Sequence, residues 1–94
     1  MLNRDEYIAK MKLQLDELNL SMSKLEANAH EIKKDAQARY EVEMDRLRLQ
    51  SQLAKVKFDE LKVATENSWD ELVAETEKVR DAFIHSFHYF KSQV

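Results

Sequence analysis

Two histidines near the C-terminus have a spacing that can support metal binding. His85 and His88 are three residues apart, so on a helix both imidazoles would lie on one face, within reach of a single ion. Asp81 is the one acid within a turn of His85, and a third ligand is not evident. We therefore interpret the pair as surface histidines, with a metal-responsive protein as an alternative. We expect no metal and no other cofactor.

The sequence lacks the residue combinations on which common catalytic sites depend. It contains no Gly-rich phosphate loop, no paired nucleophile and base, and no metal-ligand motif. A helical rod also lacks the concave, mostly apolar pocket that catalysis requires. We therefore expect no enzymatic activity. The clustered acids, which are typical of solvated helix faces, are Asp16, Glu17, Glu41, Glu43 and Asp45.

The charge of the chain argues against a dedicated nucleic-acid binder. The 94 residues carry a formal net charge of −3, whereas such proteins normally have a strong basic excess. Residues 46–57 do form a basic run, but Phe58 is the only aromatic residue beside it. The base stacking typical of single-strand binding therefore has little support, and no nucleic-acid partner is expected.

Neither a membrane-spanning segment nor a secretion signal is predicted. The chain has no run of about 18 apolar residues, which is the length that a spanning helix needs. Residues 1–6 lack the apolar core and the small-residue cleavage site of a signal peptide. We take the cytoplasm as the default localisation.

The elements that must position all of these residues are helices. Gly and Pro, the strongest turn formers and helix breakers, are both absent. Good helix formers such as Ala, Leu, Lys, Glu, Gln and Met dominate. Asn3 followed by Glu6 is typical of a helix N-terminus, where their side chains satisfy free amide groups. The sequence predicts an all-α fold.

A heptad pattern occupies the first third of the chain. Its apolar residues alternate steps of three and four, which keeps one stripe of a helix facing another helix over many turns. Tyr40 and Met44 then follow at steps of four, a stutter that unwinds a supercoil locally without ending the helix. The predicted self-association seam consists of Ile8, Met11, Leu15, Leu18, Met22, Leu25, Ala29, Ile32 and Ala36.

The chain is predicted to be a single helical coiled-coil module of residues 1–94. We expect a long helix over residues 4–64, a break at residues 65–68 and a shorter helix over residues 69–91. Ser68 and Glu71 would form a capping box at this break.

These lengths predict an elongated helical hairpin that self-associates. The first helix would be about 90 Å long, so the shorter helix could cover only part of the seam. An antiparallel dimer or a four-helix assembly would cover the rest. A monomeric three-helix bundle with a turn at residues 28–36 ranks second, because no Gly or Pro is available to make that turn.

Two oppositely charged runs favour an antiparallel hairpin. Residues 46–57 contain four basic residues and no acid, whereas residues 66–77 contain five acids and no basic residue. A turn between them would bring the runs together, which sets orientation more than it adds stability.

A second apolar stripe runs along the opposite face of the later part of the long helix. Leu53 lies beside it, and Leu13 and Leu20 extend it weakly toward the N-terminus. Because exposed stripes are rare in soluble chains, we favour a bundle that covers both faces of this helix. A surface that grips a protein partner or a lipid layer is the alternative. This second stripe consists of Val42, Leu49, Val56 and Val63.

The last helix ends in an aromatic tail. Phe83, Phe87 and Phe90 lie within eight residues of one another. We favour a structural role, because Phe83 and Phe90 continue a seam along this helix. A docking segment that inserts into a partner groove is the alternative.

Four segments resemble a known family: residues 4–12, residues 15–19, Leu61 with Lys62, and residues 68–72. The chain resembles, in these segments, a family of small bacterial coiled-coil proteins, some of which are described as stress-response proteins. The resemblance implies an all-helical coiled-coil fold and a stress-related role, and it supplies no catalytic residues.

Together these patterns predict a non-enzymatic structural or protein–protein interaction protein that forms a homo-oligomer. One alternative is a peripheral binder of lipid or storage-granule surfaces, which would use its amphipathic helices. Another alternative is a small assembly or inhibitory subunit of a larger complex.

Overall fold

The computed structural model describes residues 3–94, which form three α-helices, each antiparallel to the one before it. They are α1 (Arg4–Ala27), α2 (Gln37–Lys62) and α3 (Glu66–Gln93). Together they form a bundle with extents of 51 × 18 × 17 Å. The predicted all-α, elongated fold is therefore confirmed. The first two residues of the predicted module lie outside the described range.

Helix α1 begins where the sequence predicts. The Asn3 side chain accepts a hydrogen bond of 2.8 Å from the backbone N–H of Glu6, and its own amide donates to the Glu6 carboxylate. Asp5 and Glu6 lie in the first turn, where they complement the positive end of the helix dipole. This cap provides a hydrogen-bond acceptor for a backbone N–H of the first turn, which has no partner within the helix.

The predicted long helix over residues 4–64 is wrong, because residues 28–36 reverse the chain. Two short 3₁₀ turns, Ala29–Glu31 and Lys34–Ala36, flank a pair of extended residues. Ile32 has φ −73° and ψ 129°, and Lys33 has φ −62° and ψ 148°. No residue that the structure describes has a positive φ, so this turn requires no Gly. The lower-ranked three-helix arrangement is therefore the observed one.

The connection between α2 and α3 is a tight turn closed by a capping box. The backbone N–H of Ser68 donates to Thr65 Oγ1 at 3.3 Å, and the backbone N–H of Thr65 donates to Ser68 Oγ at 3.1 Å. Thr65 is thus the N-cap, and Ser68 is the third residue of the helix rather than its cap. Helix α3 consequently begins at Glu66, three residues before the predicted start.

The predicted self-association seam lies inside the bundle. Met11 and Leu15 are buried, and the other seam residues except Ala36 pack against the core. Helix α1 also makes polar contacts with both other helices: Asn19 accepts a hydrogen bond from Ser51 of α2, and Gln14 accepts one from Arg80 of α3. The assignment of these residues to self-association is corrected, because α2 folds back and covers them. The partly buried members are Ile8, Leu18, Met22, Leu25, Ala29 and Ile32.

The aromatic tail is part of the same core. Phe83 is fully buried and Phe90 is nearly so, with its ring edge-to-face against Tyr40 at 5.6 Å between centroids. Phe87 is half-buried against the cluster. The structural interpretation of the tail is confirmed for Phe83 and Phe90, and the docking alternative is wrong for these two residues because both are buried in the core cluster.

Polar contacts fix how the helices are aligned. Lys57 of α2 pairs with Glu75 of α3 at 3.2 Å, as the oppositely charged runs predict. At the other end of the molecule, the Arg4 guanidinium lies 4.7 Å from the Trp69 ring centroid and donates to the carbonyl of Ala64. The start of α1 is thereby held against the turn between α2 and α3.

Candidate interaction surface

An apolar line on the outer face of α2 is the most distinctive surface feature of the bundle. Val42, Leu49 and Val56 are 53–56% exposed, and Val63 is 80% exposed. The favoured interpretation, in which the bundle covers this stripe, is therefore wrong. In a three-helix bundle each helix turns one face inward, and α2 already fills that face with other residues. Those inward residues are Tyr40, Met44, Leu47, Ala54, Phe58 and Leu61.

The seven-residue repeat explains why the exposed line is continuous. Successive members are two helical turns apart, so each lies almost directly above the previous one, with a drift of about 20° per step. From Val42 to Val63 the line is about 32 Å long at a rise of about 1.5 Å per residue. It therefore presents a long, narrow strip that matches the side of another helix.

Leu53 widens the line on the side of α3. It is 43% exposed and lies between Leu49 and Val56 in the sequence. We call the five residues together the outer stripe: Val42, Leu49, Leu53, Val56 and Val63.

Leu13 and Leu20 do not extend this surface, contrary to the sequence pattern. Both are well exposed, but they lie on the outer face of α1. The reversal at residues 28–36 separates them from the α2 line. They form a short apolar pair on a different helix.

The edge of the outer stripe that faces α3 carries two bases, Arg46 and Lys57, and one exposed acid, Glu60. Arg46 lies 3.6 Å from the Glu43 carboxylate, and Glu60 accepts from Lys57 at 3.3 Å. The side chains of Arg46 and Glu60 are each about half exposed. Hydrogen bonds to Glu75 and to Glu60 raise the pKa of Lys57 above its ordinary value.

The opposite edge carries acids that already have partners in the chain. Asp45 pairs with Arg48 at 2.8 Å. Asp59 pairs with Lys55 at 3.1 Å and with Lys62 at 3.3 Å, and these hydrogen bonds lower its pKa. A surface that docks on this edge therefore meets neutralised pairs rather than free carboxylates.

A shallow groove between α2 and α3 adjoins the Val42 end of the outer stripe. Tyr89 and Arg39 form its rim, and Glu43 lies in it. Glu43 is only 4% exposed, although the sequence groups it with solvated acids, so that expectation is wrong. Its Oε2 atom has no hydrogen-bond partner among residues 3–94. Its position three residues after Tyr40 and four before Leu47 is the sequence signal for burial.

The two C-terminal histidines are on the surface. His85 and His88 are both exposed. Within the described part of the chain, no three His, Cys, Asp or Glu side chains come close enough to hold one metal ion. The structure therefore brings no third ligand to the pair.

Comparison with protein-family models, with curated proteins and with solved structures finds no match to this chain. Function is accordingly inferred from the chain's own surface. Among residues 3–94, no helix combines the length and the apolar character needed to cross a bilayer.

Proposed function

We propose that the protein is a non-enzymatic interaction module that self-associates through the outer stripe of α2. The observation that carries this proposal is the exposure of a straight apolar line, with Leu49 and Val56 each 53% exposed. Apolar surface that lines up over about 30 Å is stabilised when a complementary surface removes it from water. A helix from another molecule has the matching length and width.

The expected affinity is modest. A strip about 32 Å long and one helix, about 10 Å, wide covers roughly 300 Å² of each copy. Stable complexes bury roughly 800 Å² per partner, so we expect the outer stripe alone to give weak association, with a dissociation constant on the order of micromolar or higher. With a dissociation constant in this range, the fraction of dimer would change with protein concentration.

A second copy fits the outer stripe better than an anionic lipid surface does. Both bases and acids flank the stripe, Arg46 and Glu60 among them, so a second copy can oppose each of them with the other sign. Anionic headgroups would match only the bases. The stress-related role that the family resemblance implies remains a prediction, as does the role of a subunit in a larger complex.

Sedimentation equilibrium over a protein concentration range of about 10 to 500 μM, which brackets a micromolar dissociation constant, tests the proposal. Leu49→Glu and Val56→Glu place a charge in the outer stripe, and we expect both to remain monomeric where the unmodified chain dimerises. Leu13→Glu, which adds the same charge to the outer face of α1, is the matched control and should dimerise normally. Monomer throughout, or dissociation by Leu13→Glu alone, would overturn the proposal.

Liposome co-sedimentation supplies the second arm of the experiment. Vesicles with and without anionic lipid are incubated with the unmodified chain and with Val56→Glu. We expect neither protein to sediment with the vesicles. Binding that Val56→Glu abolishes, in a chain that stays monomeric in solution, would assign the stripe to lipid instead.

A further inference from the structure

We propose that the second copy lies antiparallel to the first along the outer stripe, with Leu53 beside the two-fold axis. This inference rests on the proposed self-association and adds its orientation and register. It follows from the positions of the apolar and charged residues along α2, which are symmetric about Leu53. An antiparallel two-fold pairs each residue before the centre with one after it.

The apolar residues match under this symmetry. Val42 is 11 positions before Leu53 and Val63 is 10 positions after it, so the two ends of the stripe meet. Leu49 is four positions before the centre and Val56 is three after it. At a rise of about 1.5 Å per residue, each matched pair differs in height by only about 1.5 Å. Every apolar residue therefore faces an apolar residue of the second copy.

The charges on the α3-facing edge match as well. Arg46 is seven positions before Leu53 and Glu60 is seven positions after it. In an antiparallel pair about a two-fold axis, an edge of one helix faces the same edge of the other. Arg46 of each copy thus lies at the same height as Glu60 of the other, and the dimer gains two base–acid pairs.

A parallel pair is less complementary. It would place the α3-facing edge of one copy against the opposite edge of the other at equal height. Arg46 would then lie beside Asp45 of the second copy, but Glu60 would lie beside Asp59, so an unfavourable contact offsets each favourable one. Leu53 would lie beside Gln52 rather than beside another Leu53. In the antiparallel pair, the opposite-edge acids Asp45 and Asp59 keep the basic partners of their own chain.

Cysteine cross-linking tests the orientation directly, because the natural chain has no Cys. Single variants Val42→Cys and Val63→Cys are treated with a short bismaleimide, separately and as a mixture. In the antiparallel pair, Val42 of one copy meets Val63 of the other, whereas the two Val42 positions are about 33 Å apart. We expect cross-linked dimer in the mixture and little in either variant alone. Efficient cross-linking of Val42→Cys alone would show a parallel pair and overturn the inference.

A charge exchange tests the register independently. Arg46→Glu creates two acid–acid contacts in the antiparallel dimer, and we expect it to weaken dimerisation about tenfold. Adding Glu60→Arg to that variant restores opposite charges and should bring the dissociation constant back to within about threefold of the original. A double variant as weak as Arg46→Glu would overturn the register.

The two proposals fail in different ways. A dimer that Leu49→Glu dissociates, without the expected cross-links or charge rescue, leaves self-association intact and overturns only the antiparallel register. An unmodified chain that stays monomeric at every concentration overturns both.

Discussion

Leu47 and Leu49 lie two residues apart on α2 and point to opposite sides of the helix: Leu47 has no exposed surface, whereas Leu49 is 53% exposed. Two steps of about 100° rotate a side chain by about 200° around a helix axis. The same residue type therefore serves the core at one position and the outer stripe at the other. Helix α2 is therefore apolar along two of its faces.

The two leucines should respond differently to truncation. Leu47→Ala leaves a cavity among core side chains and should lower the free energy of unfolding by about 2–5 kcal/mol. Leu49→Ala removes surface that is already half in water and should change it by less than about 0.5 kcal/mol. Chemical denaturation at low protein concentration, where dimerisation contributes nothing, measures both. Equal effects of the two substitutions would contradict the burial of Leu47.

The capping box of α3 gives a prediction of its own. Thr65→Ala removes the hydroxyl that accepts the backbone N–H of Ser68, and it should cost about 1 kcal/mol of stability. Thr65→Asn supplies another accepting side chain and should cost little. Thermal unfolding followed by circular dichroism compares the two variants. If the helix began at residue 69 instead, Thr65→Ala would be silent and Ser68→Ala would carry the loss.

Tyr7 makes the stability of the protein sensitive to alkaline pH. Burial raises the pKa of Tyr7 above its ordinary value of 10.0, and its hydrogen bond of 2.7 Å to Glu77 raises the pKa further. The folded chain therefore keeps a proton that the unfolded chain loses. This contribution to stability is complete below pH 10 and declines as the pH rises above it.

The expected signature is a difference between two phenylalanine variants. Above pH 10 the free energy of unfolding of the unmodified chain should fall more steeply than that of Tyr7→Phe, which lacks this one phenol and keeps the other two tyrosines. Tyr89→Phe, at an exposed position, is the control and should follow the unmodified chain. Urea denaturation at a series of pH values supplies the comparison. Parallel curves for Tyr7→Phe and the unmodified chain would rule out this linkage.

Composition and periodicity sufficed to predict the helical class and the first cap, and they located the start of α3 to within three residues. They did not suffice for residues 28–36, because the heptad spacing of Ala29, Ile32 and Ala36 continues through the turn. A turn built from negative φ angles uses ordinary residues such as Ile32 and Lys33, so it leaves no Gly or Pro signal. The interpretation of the seam depended on that single missed turn.

The candidate surface was predictable as a pattern but not as an exposed surface. The seven-residue spacing of Val42, Leu49 and Val56 places them on one face whichever fold forms. Whether a helix face is covered depends on how many helices pack around it, which is a tertiary property. Once residues 28–36 turn the chain, α1 and α3 both pack on the inner face of α2, and no residue between positions 3 and 94 covers the outer one.

Glu43 is the buried group that the bundle accommodates least well. Its carboxylate is 4% exposed, with Arg46 at 3.6 Å and no hydrogen bond to Oε2 among the described residues. A buried polar atom without a partner costs about 1–3 kcal/mol relative to one that is satisfied. An unbranched apolar side chain of similar length would fill the same space without that cost.

Glu43→Met should therefore raise the free energy of unfolding, by about 1 kcal/mol. Glu41→Met, two residues earlier on the exposed side of α2, is the matched control and should change stability by less than about 0.5 kcal/mol. Glu43→Gln keeps a polar group in the same place and should gain less than Glu43→Met. Urea denaturation at neutral pH ranks the three variants. A destabilised Glu43→Met would mean that the carboxylate has a favourable partner in solution, and the groove beside Tyr89 would then be the place to find it.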